Sequence, residues 1–156
     1  MQKVIAFVLC LVFPLAAFGG ENGYKIGYDG GSIANAKAGT EMKLTIEGSN
    51  VRILQGKTEI AVIPAAAITE ISYGQDVHRR VGAAIGLAVF SLGLGALLAL
   101  SKSKKHFIGL TWDDGSGKKG GCAFQADKND YRGLLAGLEG ITGKKAVDSD
   151  AMTVKN

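Results

Sequence analysis

Twenty consecutive residues without a charge, Val81 to Leu100, lie between two stretches that alternate like β-strands. A run of that length has to be buried in protein or placed in lipid. As one helix it would be about 30 Å long, the thickness of a bilayer core. His78, Arg79 and Arg80 precede it, and Lys102, Lys104, Lys105 and His106 follow. Arg79, Arg80, Lys102, Lys104 and Lys105 are therefore expected to meet lipid headgroups, a contact of about 1 kcal/mol per charge. Gly82 and Gly86 form a GxxxG pair, and Ser91, Gly95 and Ala99 continue a small-residue ridge suited to close helix packing in a membrane. A transmembrane helix is one reading. A helical hairpin turning near Ser91 to Gly95 and returning to the same side is a second, and a helix buried in a soluble core is a third.

The flanks weigh on that choice. Before the run, Tyr24 to Tyr28 reads as a strand, and Met42, Leu44 and Ile46 alternate with polar residues up to Gly48-Ser49-Asn50. Val51 and Ile53, then Ile60 and Val62 up to Pro64, then Ile68, Ile71 and Tyr73 extend the pattern. After the run, Ile108, Leu110 and Trp112 alternate, Asp113-Asp114-Gly115 turns, and Cys122, Phe124 and Ala126 return. The period then changes. Tyr131, Leu134, Leu135, Leu138 and Ile141 fall on one helical face, with Asp127 as the expected cap and Gly143 as the stop. A single membrane crossing would strand residues 102–156 alone, near the lower size limit for independent folding. One sheet shared by both flanks, interrupted by an apolar excursion, removes the difficulty.

The expected fold is therefore mainly β (α+β), with about seven strands, one C-terminal amphipathic helix and an apolar helical insertion. Residues 1–19 read as a secretory signal: Lys3 precedes the apolar run Val4 to Phe13, Pro14 ends it, and Ala17 and Gly19 suit cleavage after Gly19. Residues 20–147 then form one domain, and 148–156 are expected to be a flexible tail. Export removes Cys10 and leaves Cys122 as a single thiol, which permits neither an internal disulfide nor a cysteine cluster for zinc. The net charge is +4, and the basic excess lies in the second half, where Lys102, Lys104 and Lys105 account for it.

Strands followed by one amphipathic helix, with Ile63-Pro64 leading into Ile68-Thr69-Glu70-Ile71, resemble pleckstrin-homology or GRAM-like domains of bacteria. The segments Tyr28 to Ser32, Tyr73 to Arg80, Lys104 to Trp112 and Asp127 to Gly133 resemble a set of uncharacterised bacterial proteins with signal peptides. The resemblance spans most of residues 24–147 and implies a fold, with no activity attached. Phosphoinositide recognition does not carry over, because Gly30, Gly31 and Ser32 stand where the basic loop of the eukaryotic domains would be.

Tests for chemistry return little. A hairpin could bring His78 and His106 together near Asp76, but two histidines without a third ligand make a weak metal site. Asp113 and Asp114 are adjacent and diverge, so they read as turn residues. Cys122 has no flanking histidine and shares a strand face with Phe124. No catalytic, cofactor-binding or metal residue is expected. Aromatic residues interleaved with the basic ones are lacking, so nucleic acid is not an expected partner. The expected role is a non-enzymatic binding or assembly module of the cell envelope, exported and membrane-associated with the periplasmic side favoured. Its expected partners are membrane lipids and possible protein partners; the alternative is a structural oligomer packed through the glycine-rich segment 81–100.

Overall fold

A computed structural model describes residues 23–86 and 105–152. The order is β1 (Tyr24–Gly31), β2 (Glu41–Glu47), β3 (Asn50–Gln55), β4 (Thr58–Pro64), a 3-10 turn (Ala65–Ala67), β5 (Ile68–Tyr73), α1 (Val77–Ile85), β6 (His106–Asp113), β7 (Lys119–Ala126), α2 (Tyr131–Thr142), β8 (Val147–Asp148) and a second 3-10 turn (Asp150–Met152). The chain is mainly β, with one mixed sheet ordered β4-β3-β2-β1-β7-β6-β5-β8.

That order forces the sheet to curl. Six strand spacings separate β4 from β5, about 29 Å if the sheet were flat. Only Ala65–Ala67 connects the two strands, and such a link reaches at most about 14 Å. The sheet therefore wraps around a single interior. Ile26, Tyr28, Met42, Leu44, Val51, Ile53, Ile68, Ile71, Ile108, Leu110, Cys122 and Phe124 line it, and Leu134 and Leu138 of α2 close it.

The two flanks share this sheet. β1 pairs with β7, with Ile26 opposite Ala126, and β5 pairs with β6, with Ile71 opposite Leu110. The transmembrane helix expected over 81–100 is overturned. Among the described residues no helix is long and apolar enough to cross a membrane. The first residues of the run belong to α1, which starts earlier, at Val77, and stops at Ile85. Gly86 takes the left-handed conformation (φ 71°), and its N–H bonds the Gly82 carbonyl. The rest of the run, residues 87–100, lies outside the described residues, as do the expected signal at 1–19 and residues 153–156.

Three further differences have physical causes. β3 and β4 lose register between Ile53 and Leu54, so Ile60 is an extra residue on β4 and the phase shifts there. Ile63 is buried as a result, while Val62 is 45 % exposed. Asp127 opens an Asx turn, its carboxylate accepting the Asn129 N–H at 2.8 Å, and α2 begins later, at Tyr131. The stop at Gly143 is as expected, with φ 68° and its N–H bonded to the Glu139 carbonyl. Residues 147–150 are docked where a flexible tail was expected: Val147 and Asp148 pair parallel to Ser72 and Tyr73, which adds an eighth strand.

Candidate functional site

The concentration of polar and aromatic contacts lies around α1. A β-strand sends alternate side chains to opposite faces, so β6 points Ile108 and Leu110 inward and Phe107 and Gly109 outward. Helix α1 lies across this outer face. Val77, Val81, Phe107 and Ala123 are buried together there, with Ile85 packed against them. Gly109 and Gly121 let the helix approach. A Cβ on Gly109 would press on Val77 and Val81, and one on Gly121 on Ile85 and Val81.

Besides the bond from the Gln75 Nε2 amide to the Lys105 carbonyl at 2.6 Å, three polar attachments stand out at the helix among the described residues. The first joins it to β1. β1 and β7 lose register between Tyr28 and Gly30, so Asp29 is an extra residue there; it follows the inward-facing Tyr28 and lies on the outer face. Asp29 Oδ2 lies 2.8 Å from His78 Nδ1, with the side chains 11 % and 16 % exposed. The edge of Phe107 meets the His78 ring, centroids 4.8 Å apart. Burial holds the Asp29 carboxyl above its usual range, against the pull of His78 and Lys105. Burial also lowers His78, against the pull of Asp29 and Asp76. The second attachment is the two-pronged pair of Arg80 with Glu70, at 2.5 and 2.7 Å. In the third, Asp150 Oδ1 accepts the Gln75 N–H at 2.6 Å and the Asp76 N–H at 3.2 Å, just ahead of the helix.

On the inner side of the same sheet end, Tyr73 Oη bonds His106 Nδ1 at 2.8 Å. Tyr131 of α2 stacks on His106 with centroids 3.8 Å apart and planes 6° apart. Arg132 Nε bonds the Tyr131 hydroxyl at 2.9 Å. This stack ties the start of β6 and the start of α2 to β5. The four segments that carry the bacterial resemblance thus meet around one sheet end, through Asp29 with His78 and through Tyr73, His106 and Tyr131.

His78 and His106 do not meet. Phe107 packs His78 on the outer face, whereas its neighbour His106 points inward. Among the described residues no three His, Cys, Asp or Glu side chains are grouped to hold a metal. Cys122 is fully buried and burial pushes its thiol up to about 12, as it does the Tyr28 hydroxyl. The thiol is therefore not a nucleophile near neutral pH. Asp113 and Asp114 accept turn N–H groups from Gly115 and Ser116. The Ser116 hydroxyl and amide hold the Asp114 carboxyl below its usual range. A shallow groove of about 330 Å³ runs over Gly27 between Lys25, Glu41, Gln125 and Asp127. Its Lys25–Glu41 pair is 3.9 Å apart and more than 80 % exposed on both sides, so the groove has no desolvated acid–base pair.

The expected membrane residues are placed as follows. Gly82 is buried, and Gly86 is the exposed helix cap, so the two do not continue one helical ridge. Arg79 is exposed, Arg80 is bound to Glu70, and Lys105 is half-buried near Asp29. Ser91, Gly95, Ala99, Lys102 and Lys104 lie outside the described residues. The Asp29–His78 contact and the Asp150 contact were not foreseen. A glycine pair after an acidic residue, Asp29-Gly30-Gly31, is a sequence signal for the bulge at Asp29.

No family model matches the chain, and no curated protein matches it.

Proposed function

We propose that this chain is a non-catalytic, exported binding module that attaches to a lipid surface through the apolar segment 87–100. One observation carries the reading: β5 and β6, which flank the excursion, are hydrogen-bonded neighbours, and α1 folds back over β6 and β7. The described residues on either side of 87–104 belong to one sheet and the helix packed on it, which suits insertion of the segment between them from one side of a bilayer. Exposed Arg79, and Lys102 and Lys104 in the sequence, supply charge beside the apolar residues. Two antiparallel meanders closed by a C-terminal helix support the PH-like resemblance, in which such domains serve as interaction modules. The alternative, self-association through the glycine-rich segment, would need a ridge through Gly82 and Gly86. Gly82 is buried and Gly86 ends the helix, so lipid contact is the better-supported reading.

The test is co-sedimentation of the full chain with phosphatidylglycerol vesicles and with phosphatidylcholine vesicles, beside chains carrying Phe90→Asp and Leu97→Asp. Binding that favours the anionic vesicles and disappears in the variants, with circular dichroism unchanged, is expected. A chain that stays in the supernatant, or variants that bind as well as the parent, overturns the proposal. So does a cross-linked oligomer that forms equally without vesicles and is lost in the same variants.

A further inference from the structure

Helix α1 rests on a core of its own. Val77, Val81, Phe107 and Ala123 lie on one side of the sheet, and the large interior closed by Leu134 and Leu138 lies on the other. Between the two stands the β6–β7 ladder, with Leu110 opposite Cys122 and Gly109 opposite Ala123. Removing α1 would uncover Phe107, Ala123 and two glycines, while Ile108, Leu110, Cys122 and Phe124 stayed covered. Under Val81 and Ile85 the floor is Gly109, Gly121 and Ala123, and Phe107 is the one large side chain of the sheet in this cluster. Among the described residues its polar attachments lie at Gln75, Asp76, His78 and Arg80, and a Cβ on Gly86 at the other end would meet no atom within 4 Å.

The C-terminal strap is the shortest of the elements that hold α1. β8 has two residues and pairs with the sheet edge. Ser149 adds two bonds to the Tyr73 carbonyl, from its N–H at 2.8 Å and its hydroxyl at 3.1 Å. Asp150 then caps the approach to α1. Gly74 admits the strap, since a Cβ there would run into Ser149 Oγ and the Asp150 carboxylate.

We infer that residues 74–86 form a releasable arm, which detaches from the outer face while the main core stays closed, and that Val147–Asp150 is the clasp holding its N-terminal end. Elements with a small separate core and edge hydrogen bonds open below the global unfolding free energy. Once released, the arm presents Val77, Val81 and Ile85 to another surface. The inference depends on packing alone and stands apart from the lipid reading.

Hydrogen exchange followed by mass spectrometry on the full chain tests it. Amides of Val81 to Ile85 should exchange at least about tenfold faster than those of Leu110 and Phe124, with little dependence on urea. Asp150→Ala should speed the helix by about fivefold to tenfold and leave Leu110 and Phe124 unchanged. Exchange of α1 together with β6 and β7, at one rate and one urea dependence, overturns the inference, as does an equal effect of Asp150→Ala on both. Adjacent thiols give a second measurement. Cys122 faces the main core and Ala123 faces α1. In chains carrying Cys10→Ser, an Ala123→Cys thiol with Cys122→Ser should react with a water-soluble thiol reagent at least about tenfold faster than native Cys122. Equal rates overturn the inference, and the exchange data decide alone if Ala123→Cys does not fold.

Discussion

Gly109→Ala isolates the contact between α1 and the sheet. Gly109 has no positive φ, so alanine introduces no backbone strain there. The added methyl would lie 2.5 Å from Ser72 Oγ and 2.6 Å from Val77 Cγ1 and Val81 Cγ2, contacts that real side chains do not tolerate without a shift. Overpacking of this kind costs about 1–3 kcal/mol. Replacing a strand glycine recovers about 0.5–1 kcal/mol of unfolded-chain entropy, leaving a net loss of about 0.5–2 kcal/mol. Gly27→Ala is the matched control. It sits on the same outer face outside the footprint of α1, where the nearest atom to a new Cβ is Gln125 Cβ at 3.9 Å, an ordinary contact. That variant should gain about 0.5–1 kcal/mol. With a slope of about 1–3 kcal/mol per molar urea, the two variants should differ in unfolding midpoint by about 1 M. Coincident midpoints would refute the close approach of α1 to Gly109.

Other outcomes follow from the same contacts. Stability should fall as pH drops from 7.5 to 5.5: His78 is lowered in the fold, so the unfolded chain binds more protons near its ordinary value, and the cost appears below it. The raised Asp29 carboxyl acts the other way, the folded state binding more protons just above the ordinary carboxylate range, so the loss should ease toward pH 4. Urea midpoints across this range check both signs, and His78→Gln should flatten the fall between pH 7.5 and 5.5. Leu138→Ala removes a fully buried side chain that closes the curled sheet; a loss of about 2–5 kcal/mol and a melting temperature lower by at least about 10 °C are expected by calorimetry.

Much of the architecture was legible because a half-buried strand must alternate. Met42 with Leu44, Ile108 with Leu110, and Cys122 with Phe124 each announce an inward face, and all six are buried. The C-terminal helix was legible for the same reason at a period of 3.6, through Leu134 and Leu138. Residues 102–156 are too few to fold alone and their apolar strand faces need a partner sheet, so one sheet for both flanks was expected, and the β1–β7 and β5–β6 pairs bear it out. Bulges are invisible to this reasoning. The extra residue at Ile60 turned Val62 outward, because register is set between strands.

The apolar run shows the same division. Its lack of charge in sequence says only that water is a poor solvent for it. Whether its first turn meets lipid or protein was decided by glycines distant in sequence, Gly109 and Gly121, which leave a bare floor on which Val77, Val81 and Ile85 can lie. A strand glycine has no meaning in sequence beyond weakness in the strand. Under a helix it is the space the helix occupies. Periodicity along the chain therefore determined which elements form and which faces are apolar. Contacts between distant segments decided that α1 packs on the outer face, that His78 meets Asp29, and that the C-terminal strap reaches the helix start, since each depends on shape complementarity that no local pattern encodes.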